Sequence, residues 1–210
     1  MTQAEPTKCT REKTANATAR PSDCIAWRIF FVSASQPDSY LYNNLQKFSK
    51  QIGTEHIKLQ GKKFLFEFDP FTPYERLIRG FVLEQMAHNE AVVALTKKGS
   101  AVRQALENDE GIVLFDLTSD TRLSQIVAEH RSGPLSLVCD SLTDLALSTD
   151  PQYAYRFAQN AVQLLSEPRI TVVFLINSYA HDQKIIYRFR GLFNSQVSYG
   201  KQGIVSVKML

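Results

Sequence analysis

The stretch Leu135-Ser-Leu-Val-Cys-Asp140-Ser-Leu-Thr-Asp144 carries the clearest indication of the fold. A short run of strand-type residues ends there abruptly in acidic and hydroxyl side chains. Such a run is typical of a buried strand in a parallel sheet, because these strands are covered on both faces. Ligands of such sheets usually bind in the crevice at the carboxyl ends of the strands. We therefore expect the functional site at the end of this strand.

The length and composition fit one domain preceded by a tail. The chain has 210 residues with 44% hydrophobic content, which is enough for one well-buried core. Residues 1–23 are rich in Thr, Ala, Lys, Arg and Pro and have little to bury, so we expect a disordered tail followed by a single domain over residues 24–210. The net charge of +3 comes from 24 basic and 21 acidic residues, a near balance that does not require nucleic acid or an anionic membrane as partner.

The sequence shows neither a targeting signal nor a pattern of paired cysteines. It has no apolar run of the roughly 18 residues that suggest a membrane span, and its N-terminus lacks the apolar core of a signal peptide. Cys9, Cys24 and Cys139 are widely spaced and have no histidine at ligand spacing, which indicates neither a disulfide framework nor a zinc site. We therefore expect a cytoplasmic protein with no membrane partner.

Strand and helix patterns alternate along the chain. The predicted strands are residues 25–33, 56–59, 64–68, 91–95, 112–115, 135–139 and 170–176, of which 56–59 has the weakest pattern. The predicted helices lie within residues 41–52, 74–86, 102–106, 123–127, 153–165 and 186–193. Residues 196–199 and 204–210 have the pattern of a hairpin around residues 200–203. We predict an α/β fold of three layers, with a mainly parallel sheet, helices on both faces and a C-terminal β-hairpin.

Polar residues gather where the predicted strands end. They are Asp69, Thr96, Lys97, Lys98, Asp116, Asp120, Asp140, Asp144, Asn177, His181 and Asp182. Acids grouped at one sheet edge can hold a divalent cation, and a histidine there can act as an acid or base. A helix cap is the favoured interpretation for Asp69, Asp116 and Asp120, because each turn into a helix needs one. For Asp140 a role as cation ligand stays an open alternative, because Ser141 or Thr143 can cap the next helix in its place.

The segment from Leu135 to Asp144 resembles the Walker B segment of the RecA-like ATPases, especially the KaiC-like branch common in archaea, where an Asp-Ser pair often ends that strand. The order of elements over residues 63–210 is similar as well. The resemblance implies the RecA-like P-loop NTPase fold. It also implies that Asp140 corresponds to the aspartate that supports magnesium, with Ser141 and Thr143 completing a Walker B-like, vestigial cofactor segment.

The phosphate-binding loop of that family is missing from its expected place. A Gly-x-x-x-x-Gly-Lys-Ser/Thr loop surrounds phosphates with backbone N–H groups and a lysine. After the strand at 64–68 this chain has Asp69-Pro-Phe-Thr-Pro-Tyr-Glu-Arg76, which has no glycine or lysine, two prolines and two acids. The turn at 33–38 lacks Gly and Lys too, and Lys97-Lys-Gly-Ser100 fits a solvated lysine pair before a serine cap better than an anion site. Nucleotide hydrolysis is therefore not expected.

Two functions follow, of which the first is favoured. The chain is predicted to be a non-hydrolysing, degenerate RecA/KaiC-like domain that acts as a regulatory, signalling or protein-interaction module, with a protein partner or a second copy as its partner. The alternative is a domain that senses a ligand or nucleotide in the crevice. A fainter similarity to MEDS-type sensory domains over residues 64–120 implies such sensing. No cofactor is expected in the first case, whereas weak nucleotide or magnesium binding stays open.

Two further possibilities have less support. An enzyme that uses Asp140, Asp144 and His181 on a metal has no recognisable catalytic motif to favour it. Nucleic-acid binding would use basic residues on two stretches, and such residues are more often a solvated face. These residues are Lys47, Lys50, Lys58, Lys62 and Lys63 in the first stretch, and Arg188, Arg190, Lys201 and Lys208 in the second.

Overall fold

A computed structural model describes residues 47–118, 121 and 123–209. The predicted tail, the predicted strand at 25–33, the beginning of the helix predicted over 41–52 and the side chain of Asp120 lie outside these residues. The prediction of one domain over residues 24–210 stays a prediction.

Helices and strands alternate through the described chain. The helices are α1 (Phe48–Gln51), α2 (Tyr74–Ala87), α3 (Ala101–Leu106), α4 (Leu123–Glu129), α5 (Leu142–Ser148), α6 (Pro151–Leu164) and α7 (Gln183–Arg190). The strands are β1 (Lys63–Phe68), β2 (Ala91–Thr96), β3 (Ile112–Asp116), β4 (Leu135–Asp140), β5 (Ile170–Asn177), β6 (Ser195–Gly200) and β7 (Gly203–Met209). Two short 3-10 turns occupy His56–Lys58 and Ser178–Ala180.

The described strands form one sheet of seven strands in the order β3-β2-β4-β5-β1-β6-β7. Neighbours from β3 to β6 run parallel, and β6 and β7 are antiparallel. Each parallel pair needs a crossover connection, which explains why a helix separates most consecutive strands. The predicted fold class, including the C-terminal hairpin, is confirmed.

The sheet is covered on both faces by apolar side chains. On one face, Leu137, Phe174 and their neighbours pack with residues of α4, α5, α6 and α7. On the other face, Phe64, Phe66 and their neighbours pack with residues of α1, α2 and α3. Every residue of β4 is buried, as expected for an interior parallel strand. Cys139 is a buried core residue of this strand, as the sequence predicts.

Two predicted elements differ from the structure. The weak strand predicted at residues 56–59 is wrong, because the backbone N–H of Lys58 and that of Leu59 bond to carbonyls only three residues back, at Glu55 and His56. The helix predicted over residues 153–165 has another short helix before it, α5. Pro151 separates the two, because a proline fits the first turn of α6 but would break a continuous helix.

Candidate functional site

The ends of four adjacent strands meet at one edge of the sheet. Thr96 of β2 is paired in register with Asp116 of β3 and with Asp140 of β4. Cys139 of β4 is paired with Phe174 of β5, and β5 runs three residues further to its end at Asn177. The parallel sheet thus brings the predicted polar residues to a common edge, which is the place where ligands of such folds bind.

Asp140 lies buried at this edge of the sheet. Its side chain is only 1% exposed, and its Oδ2 atom accepts no hydrogen bond from the part of the chain that the structure describes. Burial raises the pKa of Asp140 to about 7, and the nearby charge of Asp144 adds to the shift, whereas a hydrogen bond from Ser100 opposes it. The hydroxyl of Thr96, opposite Asp140 in register, is likewise buried without a partner among the described residues. The two side chains therefore place unused hydrogen-bonding capacity at the edge.

Ser141 and Thr143 hold the chain around Asp140 in place. Ser141 caps α5 by accepting a hydrogen bond from the backbone N–H of Asp144 at 3.1 Å, which confirms one of the two predicted caps. The Thr143 hydroxyl accepts from the backbone N–H of Asn177 at 2.9 Å and lies 3.0 Å from Nε2 of His181. The peptide bond between Asp140 and Ser141 is cis. Both hydroxyls thus have structural partners within the fold.

Asp144 and His181, which sequence reasoning grouped with Asp140, are engaged elsewhere. Asp144 accepts from the Ser141 hydroxyl at 3.0 Å and from Nζ of Lys97 at 3.3 Å. The pKa of His181 is lowered by burial and raised to a smaller degree by Asp182, and the ring contacts Thr143. A common metal centre of Asp140, Asp144 and His181 does not occur among the groups of potential metal ligands in the described residues.

The loop between β1 and α2 stands where a phosphate loop would be. Its backbone donors are used or absent: the N–H of Asp69 bonds to the carbonyl of Tyr199, and the N–H of Thr72 bonds to the carbonyl of Asp69. The N–H of Phe71 bonds to Oδ1 of Asp69 at 2.9 Å, and the two prolines at positions 70 and 73 have no N–H. Within residues 69–73 no amide is left to bind a phosphate.

Magnesium and nucleotide therefore do not fit this edge in the manner of the family that the sequence resembles. The phosphate loop of that family offers the N–H groups of a glycine-rich turn, and residues 69–73 have no free N–H group to offer. The loop after β1 also holds Asp69, which is 3% exposed, and Glu75 in the first turn of α2, so its charge is negative. A carboxylate binds magnesium in its ionised form, which burial disfavours at Asp140.

Tyr74 is a further member of the site. The sequence pattern placed it only at the start of the helix predicted over residues 74–86. It is the first residue of α2, is 9% exposed, and its ring stacks on Phe68 with centroids 4.0 Å apart. Burial raises the pKa of Tyr74, and the charges of Asp140, Glu75 and Asp144 raise it further. The phenol therefore stays protonated beside these three acids. Its position directly after two prolines and a β-strand was the available signal.

Two of the predicted helix caps are wrong. Asp69 uses its side chain to close the turn at Phe71, and α2 begins at Tyr74 without a side-chain cap. Asp116 forms an ion pair with Arg103 of α3. Ser100 does cap α3, as predicted for the stretch Lys97-Lys-Gly-Ser100, by accepting from the N–H of Arg103 at 3.1 Å.

Several of the basic residues considered for nucleic-acid binding are occupied within the fold. Nζ of Lys63 donates to the carbonyls of Gly61, Glu167 and Ile170 at 2.7, 3.1 and 2.8 Å, and the residue is 8% exposed. Arg190 donates two hydrogen bonds to the buried carboxylate of Glu67. These contacts leave fewer free cations for phosphates than the sequence pattern indicates.

The described fold is similar to several solved structures. A KaiC-like protein from the hyperthermophilic archaeon Pyrococcus horikoshii OT3 matches with a TM-score of 0.51 at 13% identity, over 70% of this chain and 76% of that one. A second protein of the same organism matches with a TM-score of 0.52 at 16% identity, over 78% of this chain and 92% of that one. An ATP synthase subunit of Nanoarchaeum equitans matches with a TM-score of 0.53 at 13% identity, over 68% of this chain and 48% of that one. At these identities the likeness shows the fold, which is that of the RecA/KaiC-like domains.

Comparisons of sequence add one family. The model of a family of unknown function, DUF7090, matches residues 116–209, which include β4 with Asp140. No curated protein matches the chain. In the described part of the chain, no helix is both long enough and apolar enough to cross a membrane.

Proposed function

We propose that this chain is a degenerate RecA/KaiC-like domain that does not hydrolyse nucleotides and works as a regulatory or signalling module. Its partner in this proposal is another protein or a second copy of itself. The observation that carries the proposal is the loop at residues 69–73, in which every backbone N–H is either bonded within the protein or absent. A domain that has the fold of RecA/KaiC-like proteins, but no free amide in the described loop after β1, is suited to binding another macromolecule.

Exposed apolar residues at the same edge support the interaction role. Phe71, in the loop after β1, is 86% exposed, and Tyr179, in the 3-10 turn after β5, is 74% exposed. Since β1 and β5 are neighbours in the sheet, both residues lie on segments that leave the same edge. Large aromatic side chains are enriched at the centre of protein interfaces, so these two residues are suitable contacts for a partner.

Titration calorimetry with ATP and ADP, with and without magnesium, tests the first half of the proposal together with a phosphate-release assay. We expect no turnover and no magnesium-dependent binding of ATP. Turnover that is lost in the Asp140→Asn variant and kept in Asp150→Asn would overturn the proposal, because it would show that another loop replaces the missing donors. Asp150 is an exposed helix cap at which Asn is equally suitable.

Cross-linking tests the second half. Lys97 and Lys98 are exposed next to the edge, whereas Lys201 lies in the turn of the C-terminal hairpin. An amine-reactive cross-linker applied to the full chain in its own cells should link a partner through Lys97 or Lys98. The Phe71→Ser variant should reduce these links, and Val205→Ser, which changes an exposed apolar residue of β7, should not. Links that are equal in the two variants would contradict an interface at this edge.

A second candidate function is the sensing of a small ligand at the edge. The unused Oδ2 atom of Asp140 and the unused hydroxyl of Thr96 favour it, since buried polar groups usually have a hydrogen-bond partner. A ligand with both a donor and an acceptor would satisfy the pair. Thermal-shift measurements with a set of polar metabolites test this function: a stabilising ligand should act on the parent chain and on Asp150→Asn and fail on Asp140→Asn. If the same ligand stabilises all three equally, it binds elsewhere.

A further inference from the structure

A second cluster of chemically active side chains lies away from the Asp140 edge. His56, Glu84 and His88 each place one possible ligand atom within 4.8 Å of the others. Glu84 is in the last turns of α2, and His88 follows the final residue of that helix. The α2 helix leads away from the carboxyl end of β1 and into the start of β2, so the cluster lies near the opposite edge of the sheet.

Two buried carboxylates, that of Glu84 in the cluster and that of the neighbouring Glu90, are each held in position by a serine. Glu84 is 4% exposed and accepts hydrogen bonds from the backbone N–H and the hydroxyl of Ser49. Glu90 is 6% exposed and accepts from the hydroxyl of Ser136 at 2.6 Å. Fixed orientation of a carboxylate by outer hydrogen bonds is a usual property of metal sites.

His56 lies between these acids and has unused nitrogens. Its side chain is 12% exposed; Nδ1 lies 3.9 Å from Oε1 of Glu84, and Nε2 lies 3.2 Å from Oε1 of Glu90. Neither nitrogen makes a hydrogen bond to the described residues, although both are buried. The ring of His88 stacks on that of His56, with centroids 3.6 Å apart and planes 6° apart. Because an imidazole binds a metal in the plane of its ring, the exposed His88 has to turn out of this stack before both rings can direct a nitrogen at one ion.

We propose that His56, Glu84 and His88 form a binding site for a divalent transition-metal ion of the zinc type. Two imidazole nitrogens and one carboxylate oxygen are a ligand set that such ions accept, and three protein ligands leave a fourth position for water. Glu90 has its Oε1 atom 3.2 Å from Nε2 of His56, close enough for a small turn of the ring to make it the outer partner of this histidine. His88 is exposed and provides a path for the ion from solvent.

The ion would fix the short segment of residues 48–59 to the end of α2. His56 is in a 3-10 turn with no buried residue of its own, and Glu84 already bonds to Ser49 of α1. One metal ion bound to both sides would join these elements and stabilise the folded state, since a ligand that binds only the folded form adds to its stability. This role is independent of nucleotide chemistry at the Asp140 edge. The sequence rule that indicated no zinc site depended on cysteine spacing. The available signal was the pair Glu84-x-x-x-His88, which spans the end of the helix predicted over residues 74–86.

Cobalt substitution and zinc competition test the site on the full chain. The background carries Cys9→Ser and Cys24→Ser, because thiols also bind these ions. We expect one equivalent of Co²⁺ to produce visible absorption of a four- or five-coordinate nitrogen and oxygen site, and one equivalent of Zn²⁺ to displace it and to raise Tm. The variants His88→Ala and Glu84→Gln should lower zinc affinity by more than the roughly 10–100-fold that loss of an outer partner causes, and Glu90→Gln should fall within that range.

His130→Ala is the matched control, because this histidine bonds to the carbonyl of Ile126 at the end of α4, far along the chain from the cluster. It should bind zinc as the parent does. Because His88 is exposed, its alanine variant should fold, and circular dichroism of each apo-variant verifies this. Equal affinity of His88→Ala and His130→Ala, or the absence of a one-to-one cobalt spectrum from the folded parent chain, would overturn the proposal and leave the two rings as a packed histidine pair.

Discussion

Replacing Asp140 by Asn should stabilise the protein at neutral and basic pH and leave it almost unchanged in acid. The carboxyl is 1% exposed, and burial raises its pKa to about 7 from an ordinary value of 3.8. Burial disfavours the charged form, so the folded state holds the proton over a pH range in which the unfolded chain has released it. Asn has nearly the same size and never ionises.

The sign and size of the effect follow from this shift. Between pH 4 and pH 7 the folded protein binds more protons at this site than the unfolded chain does, so its stability falls as the pH rises. The contribution of the protonated carboxyl is fully present below about pH 4 and is lost as the pH passes through about 7. A shift of about three units at ~1.4 kcal/mol each corresponds to about 4 kcal/mol, which is the upper limit of the gain for Asp140→Asn at pH 8.

Urea unfolding at pH 4, 5, 6, 7 and 8 measures this gain as a difference in free energy between the variant and the parent. The difference should be small at pH 4 and should increase steadily toward pH 8. Asp150→Asn is the control, since it removes a carboxylate from an exposed helix cap that Asn fills equally well. A difference for Asp140→Asn that stays constant from pH 4 to pH 8 would refute the assignment of a buried, protonated carboxyl at the site.

Two further predictions concern residues that maintain the sheet. Gly61 and Gly53 both have φ of +72°, but a Cβ on Gly61 would lie 2.5 Å from the carbonyl oxygen of Pro168, whereas Gly53 has open space around it. Gly53→Ala should therefore cost only the roughly 1–2 kcal/mol of a left-handed backbone, and Gly61→Ala should cost more; equal costs in urea unfolding would contradict the clash. Glu67→Gln should cost about 1–3 kcal/mol, because the buried carboxylate accepts two hydrogen bonds from Arg190 at 2.6 and 2.7 Å. A loss of less than 0.5 kcal/mol in thermal or urea unfolding would show that Gln keeps these contacts.

The sequence predicts the sheet well because the strands are hydrophobic and helices separate most of them. The apolar run that ends at Asp140 has no polar face, and a strand without a polar face must be covered on both sides. The same rule places Ile170–Asn177 in the interior, and the structure has it as the middle strand. The order of the strands is not encoded in this pattern, because it depends on which strands the crossovers bring together.

The parts that the sequence did not predict are those in which a side chain has several possible partners. Asp69 can cap a helix or close a turn, and the proline that follows it selects the turn. The short segment at His56 has alternating apolar and polar residues, but its backbone bonds locally and its ring contacts a histidine far along the chain. Asp140 and Thr96 lie side by side because of the register of β2 with β4. This register, and the lack of hydrogen-bond partners for their buried oxygens among the described residues, become visible only in three dimensions.

One feature of the sequence explains why the loop after β1 has no free amide. The prolines at positions 70 and 73 remove two amide donors from the loop after β1 and allow α2 to begin only at Tyr74. Tyr74 then packs on Phe68 with its hydroxyl in the field of Asp140. A site that bound a magnesium triphosphate would need free amides in the loop and an ionised, hydrated carboxylate below it. The loop lacks the free amides and burial disfavours the ionised form of Asp140, so we expect that a single substitution in the loop does not by itself create a site for a magnesium triphosphate.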